Sequence, residues 1–196
     1  DLFHNRFDPS ISKTTRDETQ TKILNKIKSA LEAVPSLDDD RFINRFANAI
    51  MGTLRSNYFQ IMADGEPNSI LALKLNPKEL DGLPEPVPYR EIFVYGAEVE
   101  GVHLRFGPVA RGGLRWSDRA EDYRTEVLGL VKAQQVKNAV IVPVGSKGGF
   151  YPKRLPSDGG RDAFIHAGRE AYKLFISTML SITDNLDGDT VVPPKN

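Results

Sequence analysis

Glu91-Ile-Phe-Val-Tyr-Gly-Ala-Glu-Val99-Glu-Gly-Val-His-Leu-Arg105 is the stretch whose reading decides the fold. Apolar residues recur there with a period of two, so 91–95 and Val99–Arg105 are predicted strands with a turn near Gly96-Ala97. Upstream, Pro84-Glu-Pro86-Val-Pro88 is a stiff connector and the best candidate boundary. Downstream, Asp118-x-x-Glu121 has the spacing to cap a helix running to about Val136 or Lys137. A short buried strand at 140–142 and a long helix over 162–182 follow. Strands alternating with helices imply an α/β (α+β) fold, a mixed β-sheet flanked by helices.

Residues 1–62 read as a helical lead-in. Thr15-x-x-Glu18 has capping-box spacing, and Ile23, Ile27 and Leu31 recur at helical intervals until Pro35. Asp38-Asp39-Asp40 places acid at the start of a second helix, with Phe42, Phe46, Ile50 and Leu54 on one stripe. The pair is expected to form a helical hairpin with a packing or linking role. Residues 63–90 are expected to be a linker with one short strand at 70–75, and 91–196 to be the α/β domain.

The chain has 196 residues, 40% hydrophobic and 27% charged, enough to bury a core. Lys+Arg and Asp+Glu are 26 each, a balance that argues against a general nucleic-acid or membrane-surface binder. No apolar run is long enough to span a membrane, and the opening Asp1-Leu-Phe-His4 does not resemble a signal peptide. The absence of cysteine excludes disulfides, thiolate zinc sites and cysteine nucleophiles, and agrees with a cytoplasmic location. A start without Met and the end Pro193-Pro-Lys-Asn196 suggest a piece of a longer protein.

Charge is uneven within this neutral chain. Residues 101–154 carry ten Lys/Arg against four Asp/Glu, and ten of the 16 glycines lie in 101–160. Three motifs in this segment point to a small anion. In Gly107-Pro-Val-Ala-Arg111-Gly112-Gly113-Leu-Arg115-Trp116, paired glycines allow close backbone approach to a ligand, and the flanking arginines can fork onto a carboxylate. Gln134-Gln-Val-Lys137-Asn138 ends the third helix, where a lysine is commonplace. Pro143-Val-Gly145-Ser-Lys147-Gly-Gly149 is expected to be a loop at the carboxyl end of a strand, where open α/β sheets bind ligands. Each motif alone also fits a solvated turn or an ordinary helix end. Together, Arg111, Lys137 and Lys147 could converge on one dicarboxylate, and crowded cations favour deprotonation of a lysine able to act as general base or acid.

Other chemistries lack their signatures. His4, His103 and His166 show no metal-ligand spacing, no Gly-x-Ser-x-Gly elbow is present, and no Gly-x-Gly-x-x-Gly follows a strand. Lys147 precedes its glycines, so the loop is not a phosphate-binding P-loop.

Several longer segments carry a resemblance. They are Ala110-Arg-Gly-Gly-Leu-Arg-Trp-Ser-Asp-Arg119, Thr125-Glu-Val-Leu-Gly-Leu-Val-Lys-Ala-Gln-Gln-Val-Lys-Asn138 and Val142-Pro-Val-Gly-Ser-Lys-Gly-Gly149. With Ser36-Leu-Asp-Asp-Asp-Arg41, Leu54-Arg-Ser-Asn-Tyr-Phe-Gln60 and Val191-Val-Pro-Pro194, they resemble the very large bacterial NAD-dependent glutamate dehydrogenases. The smaller hexameric glutamate dehydrogenases share a weaker form of the pattern. Their Lys-Gly-Gly-(Ile/Leu)-Arg motif, which binds the substrate's side-chain carboxylate, is similar to Arg111-Gly112-Gly113-Leu-Arg115. Their Gln-x-x-Lys-Asn-Ala motif gives Gln134 and Lys137 the α-carboxylate end, and their Gly-x-Lys-Gly-Gly motif gives Lys147 the catalytic role. Two departures stand out: Arg111 replaces a lysine, and the spacing from Lys137 to Lys147 is shorter than in the smaller family.

The resemblance implies an amino-acid-dehydrogenase-like substrate domain over 91–196, inactive by itself. Glutamate, 2-oxoglutarate and ammonium would be its ligands. The NAD cofactor would bind a Rossmann domain outside this chain, within a homo-oligomeric cytoplasmic parent. The competing readings are a dehydrogenase for an apolar amino acid, which a cation at Arg111 disfavours, and a non-catalytic anion or phosphate-binding module.

Overall fold

The structure, a computed structural model, describes residues 1–138 and 144–194, with the side chains at 137 and 138 also outside the description. Three helices come first: α1 (Leu2–Phe7), α2 (Lys13–Leu31) and α3 (Leu37–Met51). The expected hairpin is therefore a three-helix lead-in, because six-residue α1 is too short to show a period. Yet α1 ties the others together. Arg6 donates to Gln20 Oε1 of α2 at 2.9 Å and to the carbonyls of Met51 and Thr53 at 3.0 and 3.1 Å.

The caps also shift from expectation. Ser12, rather than Thr15, starts α2, its side chain accepting from Thr15 N–H at 3.2 Å. Ser36 caps α3 through Asp39 N–H, and Asp38, Asp39 and Asp40 fill the positive first turn. The apolar stripe stops at Ile50, since Gly52 ends the helix and Leu54 belongs to a strand. Phe42 and Phe46 are 70% and 63% exposed, their rings stacked with centroids 6.3 Å apart.

Six strands make one sheet: β1 (Thr53–Ser56), β2 (Leu71–Leu75), β3 (Arg90–Tyr95), β4 (Val99–Arg105), β5 (Leu114–Trp116) and β6 (Ser146–Pro152). Their order is β1-β2-β3-β4-β6-β5, with every neighbouring pair antiparallel except β5–β6. This is the mixed sheet flanked by helices that the alternation predicted. Strands from all three expected stretches, 1–62, 63–90 and 91–196, join in it.

Helix α4 (Tyr123–Asn138) covers one face and α5 (Gly160–Leu180) the other. The α5 face buries Ala72, Val94, Val99 and Phe150 against Ala171 and Phe175. On the α4 face, Val102 and Leu104 pack with Tyr123, Val127, Leu128 and Val131. Burial on both faces explains why β3 and β4 are rich in apolar residues at successive positions. The α4 start lies beyond the expected Asp118-x-x-Glu121 box, with Glu126 N–H bonded to the carbonyl of Asp122. Ser117 instead donates to Glu126 Oε2 at 2.7 Å and accepts from Arg119 N–H at 3.1 Å, which makes 117–122 a turn docked on the helix.

Two polar ties fasten α4 to β3 and β4. Arg124 forks onto buried Glu91 at 2.8 and 2.7 Å, a bidentate pair that satisfies both carboxylate oxygens. Tyr123 donates its hydroxyl to Glu100 at 3.0 Å, and burial followed by that carboxylate's charge pushes the phenol's pKa far up, so it stays a donor. A small hairpin, β7 (Asn185–Asp187) with β8 (Thr190–Val192), follows α5 and turns at Gly188 with φ 59°.

Candidate active site

The unit β5–α4–β6 brings the motif segments together. Residues 111–113 run beside 144–148: Arg111 N–H donates to the carbonyl of Val144 at 3.2 Å, and Ser146 N–H to that of Arg111 at 3.0 Å. Gly148 N–H donates to the carbonyl of Gly113 at 3.1 Å, and the parallel pairing continues from Leu114–Gly148 to Trp116–Phe150. From above, Gln134 near the end of α4 donates its amide to the Arg111 carbonyl at 2.8 Å. Gln134 thus stitches two segments that are 23 residues apart.

Lys147 is not on a loop. It lies inside β6, hydrogen-bonded between β4 and β5 and opposite Leu104 in the ladder. Gly-Ser-Lys-Gly-Gly is a poor strand sequence, and pairing on both sides overrides that preference. Its face follows from its neighbours. A Cβ on Gly145 would meet Gln134 at 2.8 Å, and one on Gly149 would meet Val127 at 2.3 Å, both on α4. Side chains alternate along a strand, so Lys147 projects toward α4 between these two positions. It is half-buried and has no hydrogen-bond or ion-pair partner among the described residues.

The glycines have a different use from the one expected. Gly112 lies against the strand: a Cβ there would sit 1.4 Å from the Ser146 carbonyl oxygen. On Gly148 it would meet Leu114 at 2.3 Å. These two positions let strand approach strand. Gly113 alone in the motif faces open space, with nothing within 4 Å of a built Cβ. It is the position where a ligand can come close to the backbone.

The two flanking arginines part company as well. Arg115 is held by Glu126 at 2.9 Å, so it locks β5 to the first turn of α4. Arg111 is exposed and forms no ion pair among the described residues. Lys137 lies in the last turn of α4, but its side chain is outside the described residues, as is the expected strand at 140–142.

One residue beneath the site belongs to no motif that would mark it in the sequence. His103 pairs with Gly148 on the opposite face of the sheet, its Cδ2 only 2.9 Å from where a Gly148 Cβ would stand. Burial, then the nearby Arg105 charge, lowers its pKa to about 4. The folded state therefore holds His103 neutral, while the unfolded chain protonates below its ordinary value of 6.5. The stabilising contribution is full above pH ~6.5 and is lost as pH falls toward ~4. At about pH 5 that shift amounts to roughly 2 kcal/mol. Urea unfolding of the chain at about pH 8 and pH 5 should show this loss, and His103→Asn should remove most of it; an equal acid loss in the variant would contradict it.

Comparison with known proteins identifies the family. The family described as bacterial NAD-glutamate dehydrogenase, catalytic domain, matches residues 26–196. The NAD-specific glutamate dehydrogenase of Pseudomonas aeruginosa is 54% identical over 100% of this chain, and that of Halomonas elongata is 52% identical over 100%. The enzyme of the same name from Mycobacterium tuberculosis is 52% identical over 99%. In each case the chain spans 12% of the relative's length. A family match over most of the chain, together with relatives more than half identical along its whole length, places it: the chain belongs to the bacterial NAD-glutamate dehydrogenase catalytic-domain family.

Proposed function

We propose that the chain is the substrate-binding, catalytic-lysine part of a cytoplasmic NAD-dependent glutamate dehydrogenase, with 91–196 forming the substrate domain behind a helical lead-in. The parent reaction interconverts L-glutamate, NAD and water with 2-oxoglutarate, ammonium and NADH. The observation that carries this reading is the pairing of the Arg111 and Lys147 segments: Arg111 stands opposite Gly145, two residues before Lys147 on the adjoining strand, and neither cation has an ion-pair partner among the described residues. Arg111 holds the distal carboxylate through its planar fork, and Lys137 holds the α-carboxylate. Gln134 keeps the Arg111 segment against β6 through the 2.8 Å bond to its carbonyl. Lys147 takes a proton from water as it attacks the iminium carbon of the substrate, then returns one to the departing ammonia.

NAD supplies the hydride acceptor of this chemistry. The residues described here do not fit a dinucleotide: the only parallel strand pair is β5–β6, and no Gly-x-Gly-x-x-Gly opens α4. The cofactor is therefore assigned to a part of the parent outside this chain, and the isolated piece to an inactive state.

Arg111 provides the test. In the full-length parent, Arg111→Ala should raise the KM for 2-oxoglutarate about 10–100-fold, the worth of one charge-assisted contact, with a smaller effect on kcat. An unchanged KM would remove Arg111 from the substrate site.

A further inference from the structure

The sheet face opposite Lys147 holds a cluster that the dehydrogenase reading does not use. At the same end of the sheet, Arg55, Lys74, Arg90, His103 and Arg105 line one cavity of about 510 Å³. The ladder sets them there. Arg55 stands opposite Lys74 across β1–β2, and Arg90 stands opposite Arg105 across β3–β4. Like charges directly opposite on one face of a sheet repel, and here two such pairs face the same space. One carboxylate answers them: Asp184, 2.7 Å from Arg55. Among the described residues, Lys74, Arg90 and Arg105 have no carboxylate within ion-pair distance.

The remaining contacts hold these groups in place without neutralising them. Arg90 donates to Asn76 Oδ1 at 3.1 Å and to the Tyr89 carbonyl at 2.6 Å, and its guanidinium lies 4.2 Å from the centroid of the Tyr89 ring. Arg105 donates to the Pro108 carbonyl at 3.0 Å. The Lys74 ammonium has its pKa lowered, first by burial and then by Arg55, with Arg90 and Arg105 adding to the effect against Asp184. His103 is neutral at this edge and can accept or donate one hydrogen bond. A volume of this size is that of a small-molecule site rather than of a single counter-ion.

We propose that this cavity is a second ligand site, binding a compact phosphate-bearing anion through Arg55, Lys74, Arg90 and Arg105. A monocarboxylate would leave most of the cationic charge unanswered, whereas phosphoryl oxygens carry more charge and accept from guanidinium forks approaching from several sides. The site does not depend on the dehydrogenase reading. It lies across the sheet from Lys147, and it borders the candidate active site through His103, which pairs with Gly148, and through the Arg105–Pro108 bond, three residues ahead of Arg111.

Inorganic pyrophosphate, titrated calorimetrically into the full-length parent at fixed ionic strength, tests the proposal. Saturable binding is expected, weakened at least tenfold in Lys74→Gln/Arg105→Gln and separately in Arg90→Gln, and unchanged in Lys147→Gln. Thermal melts without pyrophosphate should find the cavity variants at least as stable as the parent, because repulsion has been removed. No saturable binding by the parent, equal binding by folded cavity variants, or a matching loss in Lys147→Gln would each overturn the assignment.

Discussion

Lys147→Ala in the full-length parent should lower kcat for reductive amination of 2-oxoglutarate by about 10²–10⁴-fold, the usual worth of a positioned acid–base group. The KM should change little, since substrate carboxylates are assigned to Arg111 and Lys137. The geometry supports this division. Lys147 is fixed by its strand, with Gly145 and Gly149 on the same face packed closely under Gln134 and Val127. Its backbone is thus held from both neighbouring strands while its ammonium has no partner among the described residues. Steady-state kinetics on a variant with native circular dichroism checks the effect. A loss confined to KM would make Lys147 a binding residue, and no loss would move the chemistry elsewhere.

Gly112→Ala should destabilise the chain by roughly 3 kcal/mol or more, at or above the top of the overpacking range. The added methyl would fall 1.4 Å from the backbone carbonyl oxygen of Ser146, an atom that cannot rotate away. Relief requires residues 111–114 to move off β6, which breaks the bonds from Ser146 to Arg111 and from Gly148 to Gly113. The neighbouring Gly113→Ala is the control. Nothing lies within 4 Å of its added carbon and its φ is not in the left-handed region, so its stability should change by less than about 1 kcal/mol. Urea unfolding of the two variants side by side separates them, and equal stabilities would contradict the close packing of β5 on β6.

These two glycines also show what a sequence can and cannot reveal. Adjacent and chemically identical, they serve a strand contact and an open surface respectively, and only the position of Ser146 distinguishes them. The same limit hid β6. Its pairing on both sides comes from β4 and β5, and nothing in Gly-Ser-Lys-Gly-Gly favours an extended chain locally. By contrast, β2, β3 and β4 were readable because their own apolar spacing reports burial. Leu54 misled in the opposite direction, matching the helical stripe of α3 although Gly52 had already ended it. The β7–β8 hairpin does carry a signal, since Gly188-Asp189 between two short runs is a favoured two-residue hairpin loop. Among the site residues, Arg111 and Lys147 were legible as cations beside glycines. The separate fates of Arg111 and Arg115 were not, because they depend on Glu126 on a helix that sequence spacing had started too early.

The most direct measurement is NADH consumption by the full-length parent supplied with 2-oxoglutarate, ammonium, both or neither. Assignment of this chain to the substrate site of a glutamate dehydrogenase predicts steady consumption only when both are present, and its disappearance in a folded Lys147→Ala variant. No consumption with both present, or an equal rate with a 2-oxo acid that lacks the second carboxylate, would contradict it.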